Sequence, residues 1–277
     1  MRLRYHFFEN YNAKYHERLL DYLKENHIKV SPDKEELDGE FITFSVWSSS
    51  SDYARIINEL KEMRIEYMCV YAEYTKKELE SAEFLMMYPK RQFMEIINCE
   101  DAYKYSCENG NRVEHEEQIG LFAIKKEPSS KTKTAFWAED TGFAEVFTDY
   151  RVREMVEANG LSGIEFKNVM NMKYVVSENI FQMTSTNIID RSWIGMGYGE
   201  KIKTCRICGK EQYVFNNTYQ LHLDLTKMNL HQDLYMTERI FGDGIAGPLY
   251  VISKRFYRLL RENNLDGGIN LSPVISI

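Results

Sequence analysis

GPLYVISKRFYRLLRENNLDGGINLSPVISI, residues 247–277, is the stretch that decides the fold. It opens with an apolar run, Leu249–Ile252, which predicts a strand, and Ser253 then offers the side-chain oxygen of a helix N-cap. Apolar residues at helical spacing follow: Phe256, Leu259 and Leu260. The run Asn263–Gly268 ends the helix with residues that tolerate positive φ, and an extended apolar pattern resumes at Ile269, Leu271 and Val274. The stretch therefore predicts a strand, a short helix, a turn and a second strand.

The same pattern occurs earlier, in VFTDYRVREMVEANGLSGIEF, residues 146–166. Val146–Thr148 is predicted to form the strand and the helix cap, and the helical stripe consists of Val152, Met155 and Val156. The run Asn159–Gly163 ends the helix, and Ile164–Phe166 is the returning strand. Because the two segments share spacing and polarity, we expect them to occupy comparable positions in one sheet.

Length and composition predict a sheet-rich α+β protein of two domains. A chain of 277 residues exceeds the usual size of one domain, and its 19 tyrosines and 15 phenylalanines are residues that strands favour. The segment Glu127–Thr134 has no large apolar residue and is the best candidate for a linker. The predicted domains are 1–128 and 129–277, and the second contains both strand-helix-strand units.

The N-terminal domain is predicted to be ferredoxin-like. From Phe41 onward the patterns give the order strand, helix, strand, strand, helix, strand, which is the split βαβ order of that fold. A strand at Leu3–Phe8 and a helix at Asn12–Asn26 precede this order. They are interpreted as an extra strand and helix in front of it.

Charge and cysteine content restrict the class of protein. A net charge of −7 argues against nucleic acid as a partner, because phosphate binding depends on clustered Lys and Arg, and it suits a partner with a basic surface. Five cysteines, an odd number, do not make the disulfide framework of a small secreted protein. The N-terminal sequence has no signal-peptide pattern, and no apolar run reaches the ~18 residues of a membrane span. A cytoplasmic protein without a membrane partner is predicted.

One motif has a defined physical mechanism: TCRICGK, residues 204–210. Cys205 and Cys208, separated by two residues and followed by glycine, are typical of the knuckle that bends backbone amides toward the thiolates of a zinc site. A structural zinc needs four ligands, and His222 and His231 are the later residues whose spacing allows Cys2His2 coordination.

Two interpretations of this motif remain open. Zinc is held by the two cysteines and the two histidines, or the knuckle binds no metal and forms a tight hairpin between Ile202 and Phe215. A redox role is disfavoured, because a thioredoxin-like pair lies at a helix N-terminus and this pair precedes a strand-like run, Gln212–Phe215.

No other pattern identifies a reaction. Two glycine-rich runs, residues 195–199 and 242–247, fail as nucleotide-binding loops because neither opens a helix. The serine run 48–51 lacks the glycines of a nucleophile elbow and is interpreted as a helix cap. His115 and the carboxylates of residues 33–40 have no metal-ligand spacing. The sequence therefore predicts no catalytic residues and no cofactor apart from the zinc alternative.

Four segments carry a family resemblance: TCRICGKE at 204–211, LHLDL at 221–225, YVISKRFY at 250–257 and LDGGINLSPV at 265–274. Residues 202–277 resemble the C-terminal half of bacterial proteins of the double-CxxCG family and of immunity-type proteins encoded beside polymorphic toxins. This chain has one CxxCG where the double-CxxCG family has two. The resemblance implies a small cytosolic protein that neutralises a partner enzyme.

The sequence supports two hypotheses about function. The first is a non-catalytic bacterial protein-interaction module, an immunity-type inhibitor of a toxin, whose partner is another protein. The alternative is a zinc-binding protein that uses the Cys205–Cys208 knuckle, structurally or catalytically.

Overall fold

A computed structural model of the chain describes residues 4–10, 13–27, 30–31, 41–47, 51–63, 67–89, 93–106, 115–128, 134–138, 145–195, 200–205, 207–209, 211–214, 221–241 and 247–277. Within these ranges the helices are α1 (Ala13–Glu25), α2 (Ser51–Glu62), α3 (Lys76–Ser81), α4 (Cys99–Ala102), α5 (Tyr150–Ala158) and α6 (Lys254–Glu262). The first ten strands are β1 (Arg4–Asn10), β2 (Val30–Ser31), β3 (Phe41–Trp47), β4 (Tyr67–Glu73), β5 (Phe84–Pro89), β6 (Phe93–Met94), β7 (Tyr103–Ser106), β8 (His115–Gln118), β9 (Ala135–Ala138) and β10 (Val146–Asp149). The others are β11 (Glu165–Met170), β12 (Val176–Thr184), β13 (Ile188–Ile189), β14 (Glu200–Thr204), β15 (Glu211–Val214), β16 (His222–Leu223), β17 (Leu234–Thr237), β18 (Tyr250–Ser253), β19 (Ile269–Pro273) and β20 (Ile275–Ser276). The predicted α+β class is confirmed.

The chain divides into two compact units, Met1–Ser81 with Asn217–Tyr219, and Ala82–Asn216 with Gln220–Ile277. The boundary predicted between residues 128 and 129 therefore falls inside the second unit. The reason is that β5, which precedes it, pairs with both β18 and β19 near the C-terminus. Residues 129–133 of the predicted linker lie outside the described residues.

The first unit has the ferredoxin-like strand order, but with other elements than those predicted. Its sheet runs β2-β3-β1-β4, and every neighbouring pair is antiparallel. Helices α1 and α2 are the two crossovers, so β1 and α1 begin the split βαβ fold and are not additions in front of it. The strands from Phe84 onward, which were predicted to complete this fold, belong to the second unit.

Each helix of the first unit buries one apolar stripe. Leu19 and Leu23 of α1 are fully buried, as are Ile56 and Leu60 of α2, and both pairs have the i, i+4 spacing of one helix face.

The second unit contains two five-stranded sheets of identical topology. Sheet 1 has the order β11-β12-β10-β9-β6, and sheet 2 the order β19-β5-β18-β17-β13. In both, the outermost short strand is parallel to its neighbour and the other pairs are antiparallel. The registers also match: Thr148 of β10 lies opposite Phe181 of β12, and Ile252 of β18 lies opposite Leu85 of β5.

This correspondence defines an internal duplication. Repeat 1 runs from β5 to β11 and repeat 2 from β12 to β20, and each also carries a hairpin, β7–β8 in the first and β14–β15 in the second. The first long strand of each repeat is exchanged: β5 lies in sheet 2 and β12 in sheet 1. The two strand-helix-strand units thus occupy equivalent positions, but in two sheets and not in one as predicted.

The helices of the two strand-helix-strand units, α5 and α6, are capped in the same way. The side chain of Asp149 accepts from Arg151 N (3.1 Å), and that of Ser253 accepts from Phe256 N (3.0 Å). The cap of α5 is therefore Asp149 and not Thr148, whereas Ser253 was correctly predicted.

Both helices also end alike. Asn159 Nδ2 donates to Met155 O and Asn263 Nδ2 donates to Leu259 O, each at 2.8 Å. The next residues, Gly160 and Asn264, have φ of 57° and 56°. Both helices therefore end at a residue in the left-handed conformation.

Both faces of sheet 1 are covered. Val152, Met155 and Val156 of α5 are buried on one side, and the other side carries an apolar cluster: Met94, Ile96, Ala102, Tyr103, Phe122, Ile124, Phe136, Ala138, Phe147, Val169 and Ile180. Strand β12 lies between β11 and β10 in this sheet.

The strand exchange makes a prediction about fragments. A fragment of residues 82–277 keeps both sheets, so we expect a cooperative urea unfolding transition by circular dichroism. A fragment of residues 129–277 lacks β5 and β6 and leaves a gap in sheet 2, so we expect no cooperative transition. A sharp transition in the shorter fragment would restore the boundary at residue 128.

Candidate functional site

The CxxC motif lies at the turn of the β14–β15 hairpin, a position that both interpretations of the motif allow. Ile207 N donates to Cys205 Sγ (3.4 Å) and Gly209 N donates to Cys205 O (2.9 Å). Gly209 has a φ of 76°, a conformation that glycine adopts without strain. Cys205 is buried and Cys208 is exposed, so one thiol anchors the turn and the other faces solvent.

The two predicted histidine ligands lie in different settings. His222 is half-buried in β16, which pairs in parallel with Ile275, and burial lowers the pKa of its imidazole. His231 is exposed in a turn, where its backbone N donates to Asn229 Oδ1. In the described ranges, no three His, Cys, Asp or Glu side chains are grouped closely enough to hold a metal ion, so Cys205, Cys208, His222 and His231 are not brought together as a site.

The duplication gives each of these positions a counterpart. His222 pairs with Ile275 as Ala123 pairs with Met170 in repeat 1, so His222 occupies an ordinary strand position. In the sequence, Cys107 follows β7 as Cys205 follows β14, but Gly110 stands three residues later where repeat 2 has Cys208. Residues 107–114 lie outside the described residues, as do the carboxylates of 33–40 and most of both glycine-rich runs.

A buried Ser–Asp pair in the second compact unit has a structural role. Ser253 Oγ donates to Asp233 Oδ1 (2.6 Å) while it caps α6. Asp233 also accepts from Ser162 N (3.0 Å) and Arg255 Nη1 (3.3 Å). Since both groups are already engaged in caps and loop contacts, this pair lacks the exposed oxygen of a nucleophile.

A second buried carboxylate, Glu145, joins the two repeats. It is 2% exposed and accepts from Tyr103 Oη (3.0 Å), Gln182 Nε2 (2.7 Å) and Arg239 Nη1 (2.5 Å). Burial and this carboxylate raise the pKa of the neighbouring Tyr250 well above its ordinary value. These three donors, one of which is the Arg239 guanidinium, occupy both carboxylate oxygens of Glu145, which suits a structural role better than that of a general base.

One exposed feature was not found from the sequence: an apolar turn between β11 and β12. We call residues Met172–Val176 the β11–β12 tip; its large apolar side chains are 48–58% exposed, namely Met172, Tyr174, Val175 and Val176. Asn171 Oδ1 accepts from Lys173 N (2.8 Å) and Val175 N (3.3 Å), which fixes the turn. The sequence signal for this turn is Asn171, because asparagine often starts turns of this kind.

Comparison of the chain with models of known protein families gives no match, and comparison with curated proteins gives none either. Among the described residues, no helix combines the length and the apolar character that a membrane crossing needs.

The Glu145 cluster predicts a coupled stability effect. Repeat 2 has Leu249 at the position of Glu145, four residues before the helix cap. Glu145→Leu leaves the partly buried Arg239 without its ion pair, so we expect a loss of about 3 kcal/mol in the free energy of unfolding. Adding Arg239→Met should recover part of that loss in urea titrations. A double variant no more stable than Glu145→Leu alone would contradict the assigned coupling.

Proposed function

We propose that this protein acts by binding another protein, as a non-catalytic, immunity-type inhibitor, and that the β11–β12 tip is part of its binding surface. The tip carries the proposal because its apolar side chains are clustered and exposed, and because the Asn171 side chain fixes the backbone of the turn. Contiguous exposed apolar surface marks protein-binding sites, and a turn that is already ordered loses little entropy on binding.

The backbone of the tip adds a second argument. Tyr174 has a φ of 58°, which is uncommon for a residue that is neither glycine nor asparagine. Such a conformation costs free energy, and outliers of this kind concentrate at ligand contacts. A large aromatic side chain at that position is consistent with a role in binding.

The buried ionisable groups support binding over catalysis. Asp233 and Glu145 are each engaged by several donors. Ser253 is engaged by Asp233 and by the N-terminus of α6. Each of these groups is accounted for by a contact that stabilises the second unit.

The test uses Tyr174→Asn, which removes the aromatic ring and suits positive φ, so the variant should fold normally. The tagged wild-type protein is purified from its native host, and a copurifying protein is identified, expressed and titrated calorimetrically. We expect Tyr174→Asn to bind that protein at least about tenfold more weakly, as for a central interface residue.

Leu230→Asn is the matched control, because Leu230 is also apolar and 56% exposed but lies outside the tip. It should bind like the wild type. Equal affinity of the wild type and Tyr174→Asn would remove the tip from the interface. A host purification that yields no protein partner, together with turnover of a substrate, would defeat the binding function itself.

Zinc binding is the second candidate, and the amide of Ile207 bonded to Cys205 Sγ favours it, because zinc knuckles present amides to sulfur in this way. The described residues fit half of a four-ligand site, Cys205 and Cys208, so we place no catalytic step on the metal.

Elemental analysis tests this candidate directly. A zinc protein should contain about one equivalent, and Cys208→Ser should reduce it below about 0.1 equivalent. Cys99→Ser, which changes a cysteine outside the knuckle, should keep the metal. If the wild-type protein, purified without chelators, contains less than about 0.1 equivalent of zinc, the zinc-binding hypothesis is wrong.

A further inference from the structure

A groove of about 410 Å³ lies between α5 and β11, lined by Arg153, Val156, Glu157, Gly160, Leu161, Ile164 and Phe166. Its apolar lining comes from Val156, Leu161, Ile164 and Phe166. Its rim carries the ion pair between Arg153 Nε and Glu157 Oε1 (2.7 Å). A helix beside the outermost strand of a sheet is an arrangement that binds extended peptides in other folds.

The strand beside this groove has an open edge. β11 is the outer strand of sheet 1, and Met170 N and O bond outward, to Phe122 O and Ile124 N. In repeat 2, Val274 N donates inward to Phe84 O, so the backbone of the preceding Pro273 points outward. Asn168 has the same register position, and the pairing with β12 is regular from 165 to 168, so the backbone groups of Asn168 and Phe166 point outward as well. Among the described residues, no backbone group outside the β11–β12 pairing bonds to Phe166 or Asn168.

Repeat 2 closes both features at the equivalent positions. Tyr257 corresponds to Arg153, four residues after the helix cap; it is 1% exposed, so an aromatic ring fills the place beside α6. Pro273 lies opposite Leu85 as Asn168 lies opposite Phe181, and proline has no N–H to offer at an edge. One copy of the scaffold is therefore closed at this edge and the other is open.

We infer that an extended segment of a partner protein adds to the outer edge of β11 at residues 165–168 and inserts an apolar side chain into the α5–β11 groove. This inference rests on the proposed protein-binding function and names the chemistry of the partner. The unpaired N–H and C=O groups of Phe166 and Asn168 select an extended backbone, since only a strand satisfies both.

Charge complementarity specifies the segment further. Glu165 and Lys167 are exposed and alternate with Phe166, so they lie on the face of β11 opposite the groove. A complementary strand therefore alternates apolar residues, which face the groove, with a basic residue near Glu165 and an acidic one near Lys167. The same β11–β12 hairpin carries the tip at its other end, so one partner strand can lead to both surfaces.

A phage-displayed library of random linear peptides, selected against the full-length protein, is the probe. We expect selected peptides to show alternating apolar and charged residues and to perturb the backbone amide resonances of residues 165–168. Asn168→Pro removes only an outward N–H, as in Pro273, so its urea unfolding midpoint should match the wild type. Its affinity for the peptides should fall at least about tenfold.

Arg153→Tyr fills the groove as Tyr257 does in repeat 2 and should also weaken the peptides at least about tenfold. Arg258→Tyr is the matched control, the same exchange on an exposed position of α6, and should bind like the wild type. Peptides that bind Asn168→Pro and Arg153→Tyr as tightly as the wild type, or a library without enriched sequences, would overturn the inference.

Analytical ultracentrifugation tests whether a second copy of this chain, rather than a partner protein, occupies the β11 edge. A dimer of the wild-type protein that Asn168→Pro dissociates would show that β11 pairs with β11 of another copy, which also overturns the inference. These outcomes are distinguishable from failure of the proposed function. If a host partner binds Asn168→Pro as tightly as the wild type, the inference about the β11 edge is wrong, but the protein-binding function stands. If peptides bind the groove but no host partner is found, the inference about the groove is supported and the proposed function is not.

Discussion

The second unit depends on one constraint: each strand-helix-strand unit leaves a gap between its two strands that the other repeat must fill. The crossover through α5 places β10 and β11 one strand apart, and the backbone groups that face this gap are satisfied only by an inserted antiparallel strand. β12 of repeat 2 fills the gap in sheet 1, and β5 of repeat 1 fills the gap in sheet 2. The exchange is reinforced by the loops after the helices, since Asp233 N donates to Ser162 O and Thr134 N to Gly267 O. Neither repeat has a complete sheet without the other.

What could be predicted from the sequence was local. The strand-helix-strand units were recognised because a cap, an apolar stripe and an Asn or Gly stop lie within a few residues of one another, and the cap at Ser253 and the CxxC hairpin followed from the same kind of signal. Sheet membership could not be predicted, because the partners of β5 lie more than a hundred residues away, at residues 250–253 and 269–273. In the first unit the fold order was predicted from the wrong starting strand, since β2 has only two residues and gives no periodic signal.

The candidate surfaces were also beyond the sequence, for a related reason. Whether Asn168 has an open backbone depends on β11 being the outer strand, and whether Arg153 borders a groove depends on what stands at the same place in the other repeat. Recognising His222 as an ordinary strand residue likewise requires the pairing that aligns it with Ala123. The sheet registers reveal the duplication, and each position in one repeat can then be compared with its equivalent in the other.

That comparison is the basis on which we propose a binding role for repeat 1. An open strand edge next to apolar surface is an aggregation hazard, and proteins remove it with proline, charge or a covering element. Repeat 2 follows this rule with Pro273 and Tyr257. Repeat 1 has neither at the equivalent positions and carries the exposed charges of Glu165 and Lys167 on the edge strand instead, and it adds an exposed apolar tip on the same hairpin. Charge protects an edge without removing its hydrogen-bonding groups, whereas proline removes a donor, so the β11 edge keeps the N–H and C=O groups that the proposed partner strand would use.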